Sequence, residues 1–587
     1  MPATSASPVS HQGSPHLRPL RRRMLLSTAG AALLLGSAVA GASADHGLGL
    51  TEVTAQPKAA GIASPNYLSP ELIEFVQAQG SWTLENPSAD GVIRYYGYLD
   101  QAKPMVTIAS GPAPTVEAQK TEPDKNTYLV LRGQHGPGGG YDYGRHFLYQ
   151  GHEVGPRGYI TRINLDADPA HRVTLLASTQ AGGGPNTGIN LAAGTNLPDF
   201  DGSAWNPFTQ TLLFSFEGNG TSTGGIWEAT PDFPSTVVDR LGLFGRGGFE
   251  GIQEDGDGNI WLVEDLGGSN GTASGATNLA KQPNSFVFRF IPKNRSDLNA
   301  GGKLQVLQVD GKDGQPVKFG GDPVTGVPTQ AQIDADVTST FMADLHTYGN
   351  SFKTRWITVH DTAVDGFATF NANLAAKLKG GTPFKRPENG QFRPGTRFGE
   401  FFFTETGDTN ALSGANGAPG AGHGGWGGIL RLAQKDPSSY TGTLSPFFLG
   451  DVDHTGLDNI TFLDGDNVIS GEDAGDTLHG QRAELDSAFI FPIKSNTPPT
   501  PFRFLGEGRD ASATIDSAVT GNGNDGDNEI TGLHISDGDP TVRGLIGTTE
   551  PRFLSSDGEG RRKDGWRFFW TQQHGDNVTY EVINAPR

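Results

Sequence analysis

Cysteine is absent from all 587 residues, and that single absence removes disulfides, thiolate metal ligands and cysteine nucleophiles together. Any metal held by this chain must rest on oxygen or imidazole nitrogen. Positive charge is scarce as well. Lys and Arg number 44 against 64 Asp and Glu, for a formal net charge of −20, and so acidic a surface repels nucleic acid and anionic membranes. Beyond the N-terminal region no apolar run reaches the roughly 20 residues of a spanning helix, so a stable membrane anchor is not expected. The chain also lacks a Gly-x-x-x-x-Gly-Lys phosphate loop and a cysteine-based zinc spacing, which sets aside two common routes to nucleotide or metal binding.

The chain opens instead with an address. Arg21-Arg22-Arg23-Met24-Leu25-Leu26 leads into an Ala- and Leu-rich run to about Ala40 and then Ala42-Ser43-Ala44. A basic region, an apolar core and small residues at the end read as a secretory signal over residues 1–44, and the paired arginines point to the twin-arginine machinery as an export partner. The mature chain then begins at Asp45 and is expected to be periplasmic or secreted. That route carries folded proteins, often with metal already inserted.

Glycine is abundant, with 84 residues beside 38 prolines, and the glycines punctuate strand-like runs, the pattern of a turn-rich all-β protein. The stretch 246–267 shows the unit. Glu250 precedes a turn at Asp255 to Asn259, and Ile260 to Val263 then runs into Glu264 and Asp265, which predicts two antiparallel strands with carboxylates near both. An apolar strand ending in an acid or amide recurs at Glu153, Glu217, Glu264, Glu405, Glu472 and Gln572, in steps of 64, 47, 141, 67 and 100 residues. Steps near 50 match one four-stranded propeller blade. Trp356 to Asp361, ending in His360 and Asp361, is a candidate for a missing member. Equivalent places in successive blades put these acids at one level, as a ring.

Other expectations follow in chain order. Residues 45–125 form a segment packing on the propeller, with a helix over Ser69 to Gln79. Residues 126–587 form the propeller, with strands at Tyr128 to Leu131, Phe147 to Tyr149, Tyr159 to Ile163, Phe286 to Phe290, Lys303 to Leu307 and Trp566 to Gln573. Helical and loop insertions fall near 363–400 and 413–428. The first includes a helix from Phe367 to Leu378, with Phe367, Phe370, Leu374 and Leu378 on one face. Ala181 to Asp201 and Gly521 to Asp527 read as loops.

Several short segments, in order, resemble the exported PhoX-type alkaline phosphatases. His152-Glu153 followed by Gly158 to Ile163 is similar to that family's early Asn-His-Glu strand, with Gly151 for the Asn. Phe214 to Asn219 keeps one of its paired acids, Glu217, and Phe249-Glu250 is similar to its metal-binding His-Glu. Arg386-Pro387-Glu388 reproduces its Arg-Pro-Glu motif. Leu457-Asp458-Asn459, Glu472-Asp473, Glu529 to Gly532 and Gln572 to Gly575 resemble its later segments. The resemblance implies a six-bladed β-propeller and a metal-dependent phosphatase acting on small phosphate esters as a monomer. It further implies calcium and ferric ions in the propeller mouth, the irons bridged by a cysteine sulfur that this chain lacks. Asp199 or Asp201, in the equivalent loop, offers oxygen instead, and oxygen favours calcium over a thiolate-bridged iron pair. On this basis Glu217, Glu250, Glu388, Glu472 and Asp473 are expected metal ligands. Arg386 is expected to grip phosphate through its planar fork, and His152 and His574 to carry protons. Two other readings stay open: a phytase-like or lactonase-like calcium-dependent hydrolase, and a non-catalytic calcium-binding propeller that needs the acids but not Arg386.

Overall fold

The computed structural model describes residues 47–58, 63–87, 93–98, 105–107, 115–117, 120–153, 159–178, 197–218, 222–272, 280–408, 421–493, 498–509, 529–554 and 565–585. The expected signal at 1–44, most of the Ala181 to Asp201 and Ser413 to Gly428 loops, and Gly521 to Asp527 lie outside these residues. What is described is all-β with short helical insertions, in a propeller-like arrangement of antiparallel sheets.

The chain runs through successive up-and-down meanders. The first comprises Thr127–Val130, His146–His152, Tyr159–Asn164 and Val173–Ser178. The second comprises Ser203–Asn206, Thr211–Phe216, Gly225–Ala229 and Val237–Asp239. The third comprises Phe249–Glu254, Ile260–Glu264, Val287–Pro292 and Gly302–Val309. The fourth comprises Gly390–Phe392, Glu400–Glu405, Gly428–Gln434 and Thr441–Leu449. The fifth comprises Leu457–Asp464, Asn467–Glu472, Ser487–Pro492 and Phe502–Gly506. The last holds Glu529–Ser536, Arg567–Gln573 and Val578–Asn584, and its fourth strand, Leu72–Ala78, comes from the start of the chain. The first strands touch in turn, and Glu529–Ser536 meets Thr127–Val130 to close the circle.

Apolar cores fill the gaps between neighbouring meanders. Leu129, Phe147, Trp205 and Phe214 join the first to the second, Leu213 and Phe288 the second to the third, and Trp261 and Phe401 the third to the fourth. Phe402 and Phe462 join the fourth to the fifth, Ile490 and Phe568 the fifth to the last, and Tyr128 and Phe569 the last to the first. Each buried aromatic contributes on the order of 2–3 kcal/mol, so adhesion is spread round the circle.

Three local expectations are corrected. Ser69 to Gln79 is not a helix: Leu72–Ala78 is a strand paired with Val578–Asn584. Its Leu-Ile-Glu-Phe-Val sequence fits a pleated edge, and the pairing overrides the Ser-Pro start signal. Trp356 to Asp361 is indeed strand, within Phe352–Asp361, but it bridges the outer strands Gly302–Val309 and Thr441–Leu449 and merges the third and fourth meanders into one nine-stranded sheet. The helix expected from Phe367 runs only over Ala372–Lys379, capped by Asn371. It buries Ala372, Asn373 and Ala376, while Phe367 and Leu378 are exposed.

Candidate functional site

Every meander brings a carboxylate to the start of its innermost strand. Asp124, Asp201 and Glu388 lie just ahead of Thr127–Val130, Ser203–Asn206 and Gly390–Phe392, while Glu250, Asp458 and Glu529 occupy the first or second position of theirs. Because these strands close a circle, the lead-in acids form a ring. Two glycines let the backbones come close enough. A Cβ on Gly202 would lie 2.0 Å from the Glu250 carbonyl oxygen, and one on Gly251 would lie 2.7 Å from that of Glu388.

Oxygens of Glu153, Asp201 and Glu217 lie within 4.8 Å of one another, as do those of Glu217, Glu250 and Asp265, and those of Glu250, Glu388 and Asp458. The three groups share Glu217 and Glu250, so the carboxylates make a continuous chain. Burial drives Asp201, Glu217, Glu250, Glu388 and Glu529 well above the usual carboxylate range, and the neighbouring acids add to the shift. Glu153 is pushed up to about 8, again by burial first and then by Asp124 and Glu122. Such crowding is unfavourable unless protons or cations neutralise it.

The donor set fits a hard cation. It is all oxygen, and Glu217 Oε1 and Asp201 Oδ1 are buried without a hydrogen-bond partner among the described residues, an arrangement native proteins rarely leave standing. Asn389 links two members, donating from Nδ2 to Glu250 Oε1 at 3.0 Å and to Asp458 Oδ1 at 3.1 Å. Behind it, Lys125 Nζ donates to Asn389 Oδ1 at 3.2 Å and Asn459 Oδ1 at 3.4 Å. Burial lowers the Lys125 pKa, and Asp124, Asp458, Glu250 and Asp201 pull it the other way.

Arg386 stands beside the ring in a left-handed backbone conformation, φ +53°, which an L side chain takes only when its surroundings enforce it. Its fork is already engaged. Nε lies 2.8 Å from Asp265 Oδ1, and Nη2 lies 2.6 Å from Asp265 Oδ2 and 3.0 Å from Glu388 Oε1. Nη1 therefore remains as the donor edge turned away from Asp265.

Of the expected metal ligands, Glu217, Glu250 and Glu388 meet in these groups. Asp473 lies close enough to perturb Glu388, Arg386 and Glu529. Glu472 does not join them. It accepts from Thr455 N at 3.0 Å and Ser487 N at 2.9 Å and pairs with Arg482 Nη1 at 2.7 Å. Glu264 accepts from Gly248 N, Phe286 N and Asn373 Nδ2, and Glu405 from Lys385 N and His346 Nε2. Each of these three acids ends a second strand, as the recurrence predicts, and each meets a residue from a helical insertion: Asn373 in Ala372–Lys379, His346 capping Thr340–Leu345, Arg482 in Gly475–Arg482. They tie the loops down, and none of the three belongs to the oxygen groups of the ring.

His152, expected to carry protons, is fully buried. Its ring nitrogens lie 2.8 Å from Thr121 Oγ1 and 2.9 Å from Thr161 Oγ1, and burial drops its pKa to about 3, so it is a neutral structural ring. His360, in the strand proposed as a missing member, stacks on Phe370 at 3.9 Å, away from the ring. His574 lies at the rim, with Nδ1 3.2 Å from Glu122 and Nε2 3.6 Å from Glu529. Asp201, not Asp199, is the member from the loop ahead of Ser203. Sequence reasoning missed Lys125 and Asn389 altogether. The residues Asp124-Lys125-Asn126 ahead of a strand carry no motif, and Asn389 follows Glu388 unmarked.

Comparison with known proteins adds a family. Residues 277–478 match the family model of alkaline phosphatase PhoX, so the resemblance drawn from the short motifs is shown over that span and supports a phosphatase. A search of curated proteins finds no match. Among solved structures, the chain is similar to Pseudomonas fluorescens PhoX in complex with vanadate, at 13% identity and a TM-score of 0.46, over 90% of this chain and 98% of that one. It is also similar to Sqt1 from Chaetomium thermophilum, at 10% identity and TM-score 0.34, over 89% and 100%. A third is a putative 6-phosphogluconolactonase from Bacteroides uniformis, at 11% identity and TM-score 0.24, over 65% and 82%.

Proposed function

We propose that this protein is an exported, metal-dependent phosphatase of phosphate monoesters, working at the ring of carboxylates in the mouth of a six-bladed propeller whose blades are the successive meanders. The observation that carries the reading is the continuous set of buried oxygens running from Glu153 through Glu217 and Glu250 to Glu388 and Asp458. The family match over 277–478 supports phosphate chemistry.

Glu153, Asp201, Glu217, Glu250, Asp265, Glu388 and Asp458 are the residues that would hold ions, with Asp473 and Glu529 at the rim. An all-oxygen set favours calcium; iron without a sulfur bridge would have to be held by carboxylates alone. Ions bound there would supply the positive charge and Lewis acidity that phosphoryl transfer requires. The chain's own part is positional. Arg386, anchored by Asp265, offers Nη1 to a phosphoryl oxygen as a fixed cation. Asp265 holds the guanidinium plane, and Pro387 fixes the link from Arg386 to Glu388. His574, between Glu122 and Glu529, is the imidazole placed to pass a proton to or from the leaving oxygen. The basic, then apolar, then small-residue leader over residues 1–44 supports export.

The test is direct. Protein purified with calcium, with and without iron, should hydrolyse p-nitrophenyl phosphate, and Arg386→Ala should lose at least about 100-fold in kcat/KM, the scale of one lost transition-state contact. An Arg386→Ala enzyme as fast as the parent removes the arginine, and with it the reading of the mouth as a phosphate site.

A further inference from the structure

We propose that Lys125 is a tethered cation of the ring: its side-chain nitrogen fills one of the positions that the lead-in carboxylates create for positive charge, so the ring takes one ion fewer than its oxygens would otherwise hold. The inference rests on the metal-binding reading above and adds how many ions that site takes and why.

Lys125 follows directly on Asp124, the lead-in acid of the first meander, and is buried at 4% exposure. Its Nζ faces amide oxygens of two other meanders, Asn389 Oδ1 and Asn459 Oδ1. Those amides are oriented by their far sides. Asn389 Nδ2 donates to Glu250 and Asp458, and Asn459 Nδ2 donates to Asp458 Oδ2 at 2.8 Å and to Thr531 Oγ1 at 3.0 Å. With both nitrogens committed to acids and a hydroxyl, both oxygens must face the lysine. Amide oxygens backed by carboxylates are also what calcium seeks. The lysine therefore sits where a cation site would be, and its stem keeps one there permanently.

The other side of Lys125 shows why the position needs a plug. The side chain also lines a cavity of about 60 Å³ among the first strands, together with Ser203, Gln391, Glu254 and His534. Its walls are mixed, apolar residues such as Leu129 and Ile546 beside those polar groups, and it is large enough for water. Without the Lys125 side chain, the ring and this cavity would join. An ion entering the gap would find Asn389 Oδ1, Asn459 Oδ1 and the neighbouring carboxylates on one side and room for water on the other.

Lys125→Ala tests this. After equilibrium dialysis against millimolar calcium, metal analysis should give one more bound calcium per chain than in the parent protein, and Lys125→Arg, which keeps the charge, should match the parent. The thermal midpoint of Lys125→Ala should also rise more steeply with calcium than the parent's. An equal or lower count in Lys125→Ala overturns the inference while leaving the metal site intact. A Lys125→Ala chain that stays unfolded at every calcium concentration overturns it too, because an added ion then fails to replace the ammonium. If the parent binds no divalent ion, the metal reading itself falls, and this inference with it.

Discussion

Two sets of buried carboxylates sit at the same end of the same sheets and have opposite fates. The lead-in acids Asp201, Glu250, Glu388 and Asp458 crowd one another, and burial with mutual repulsion raises the pKa of Asp201, Glu250 and Glu388. The second-strand acids Glu264, Glu405 and Glu472 are as deeply buried, yet each accepts a backbone N–H and a side-chain donor from a helical insertion. Glu153 and Glu217, at the same position in the first two meanders, instead point into the ring, and Glu217 keeps an unpartnered oxygen. Position in a meander therefore does not by itself bring an acid into the ring. An acid becomes available when no donor from an insertion reaches it.

The largest effect expected from breaking this contrast is at Glu472. Glu472→Ala leaves Arg482 buried without its closest carboxylate partner and strips two backbone N–H groups of their acceptor, at a cost of roughly 3–5 kcal/mol. Chemical denaturation should show the loss, while calcium stoichiometry in the protein that remains folded stays that of the parent. Glu250→Gln should do the reverse. Calcium binding and phosphate-ester hydrolysis should fall by roughly 100-fold or more, whereas in chelator the variant should melt at or above the parent temperature, since one member of a repelling group has been neutralised. If Glu250→Gln is the unstable variant and Glu472→Ala the one that loses calcium, the two sets have been assigned the wrong way round.

A smaller test sharpens the contrast with a buried base that is satisfied only when neutral. His534 Nε2 accepts from Tyr128 N at 3.2 Å, and burial, aided by Lys125, drops its pKa to about 3. A group depressed on folding contributes stability above its unfolded pKa of about 6.5 and loses it as pH falls toward the folded value. The contribution forgone by pH 5 is about 2 kcal/mol. His534→Gln, which can still accept from Tyr128 N, should show a shallower decline in stability between pH 6.5 and pH 4 than the parent. Parallel declines would mean the ring is not held neutral.

The sequence displayed the wrong half of the ring more clearly than the right half. Second-strand acids announce themselves, because an apolar run leading into Glu and then Gly is a local pattern, and the strands that end in Glu264, Glu405 and Glu472 or stop one residue short of Glu153 and Glu217 are where the pattern put them. The lead-in acids follow connections of unequal length between meanders, so no period marks them; Glu388 and Asp458 were visible only through a family resemblance. Local signals also failed where distant pairing decided the outcome, as at Leu72–Ala78. Lys125 was illegible for a related reason: its meaning depends on Asn389 and Asn459, 264 and 334 residues away.

That early strand also fixes when the ring can exist. Leu72–Ala78 completes the sheet that carries Glu529, and its partner Val578–Asn584 lies far along the chain from it. A chain that has not yet made Val578–Asn584 therefore holds an open arc of acids, and the circle closes only when that strand fastens on Leu72–Ala78.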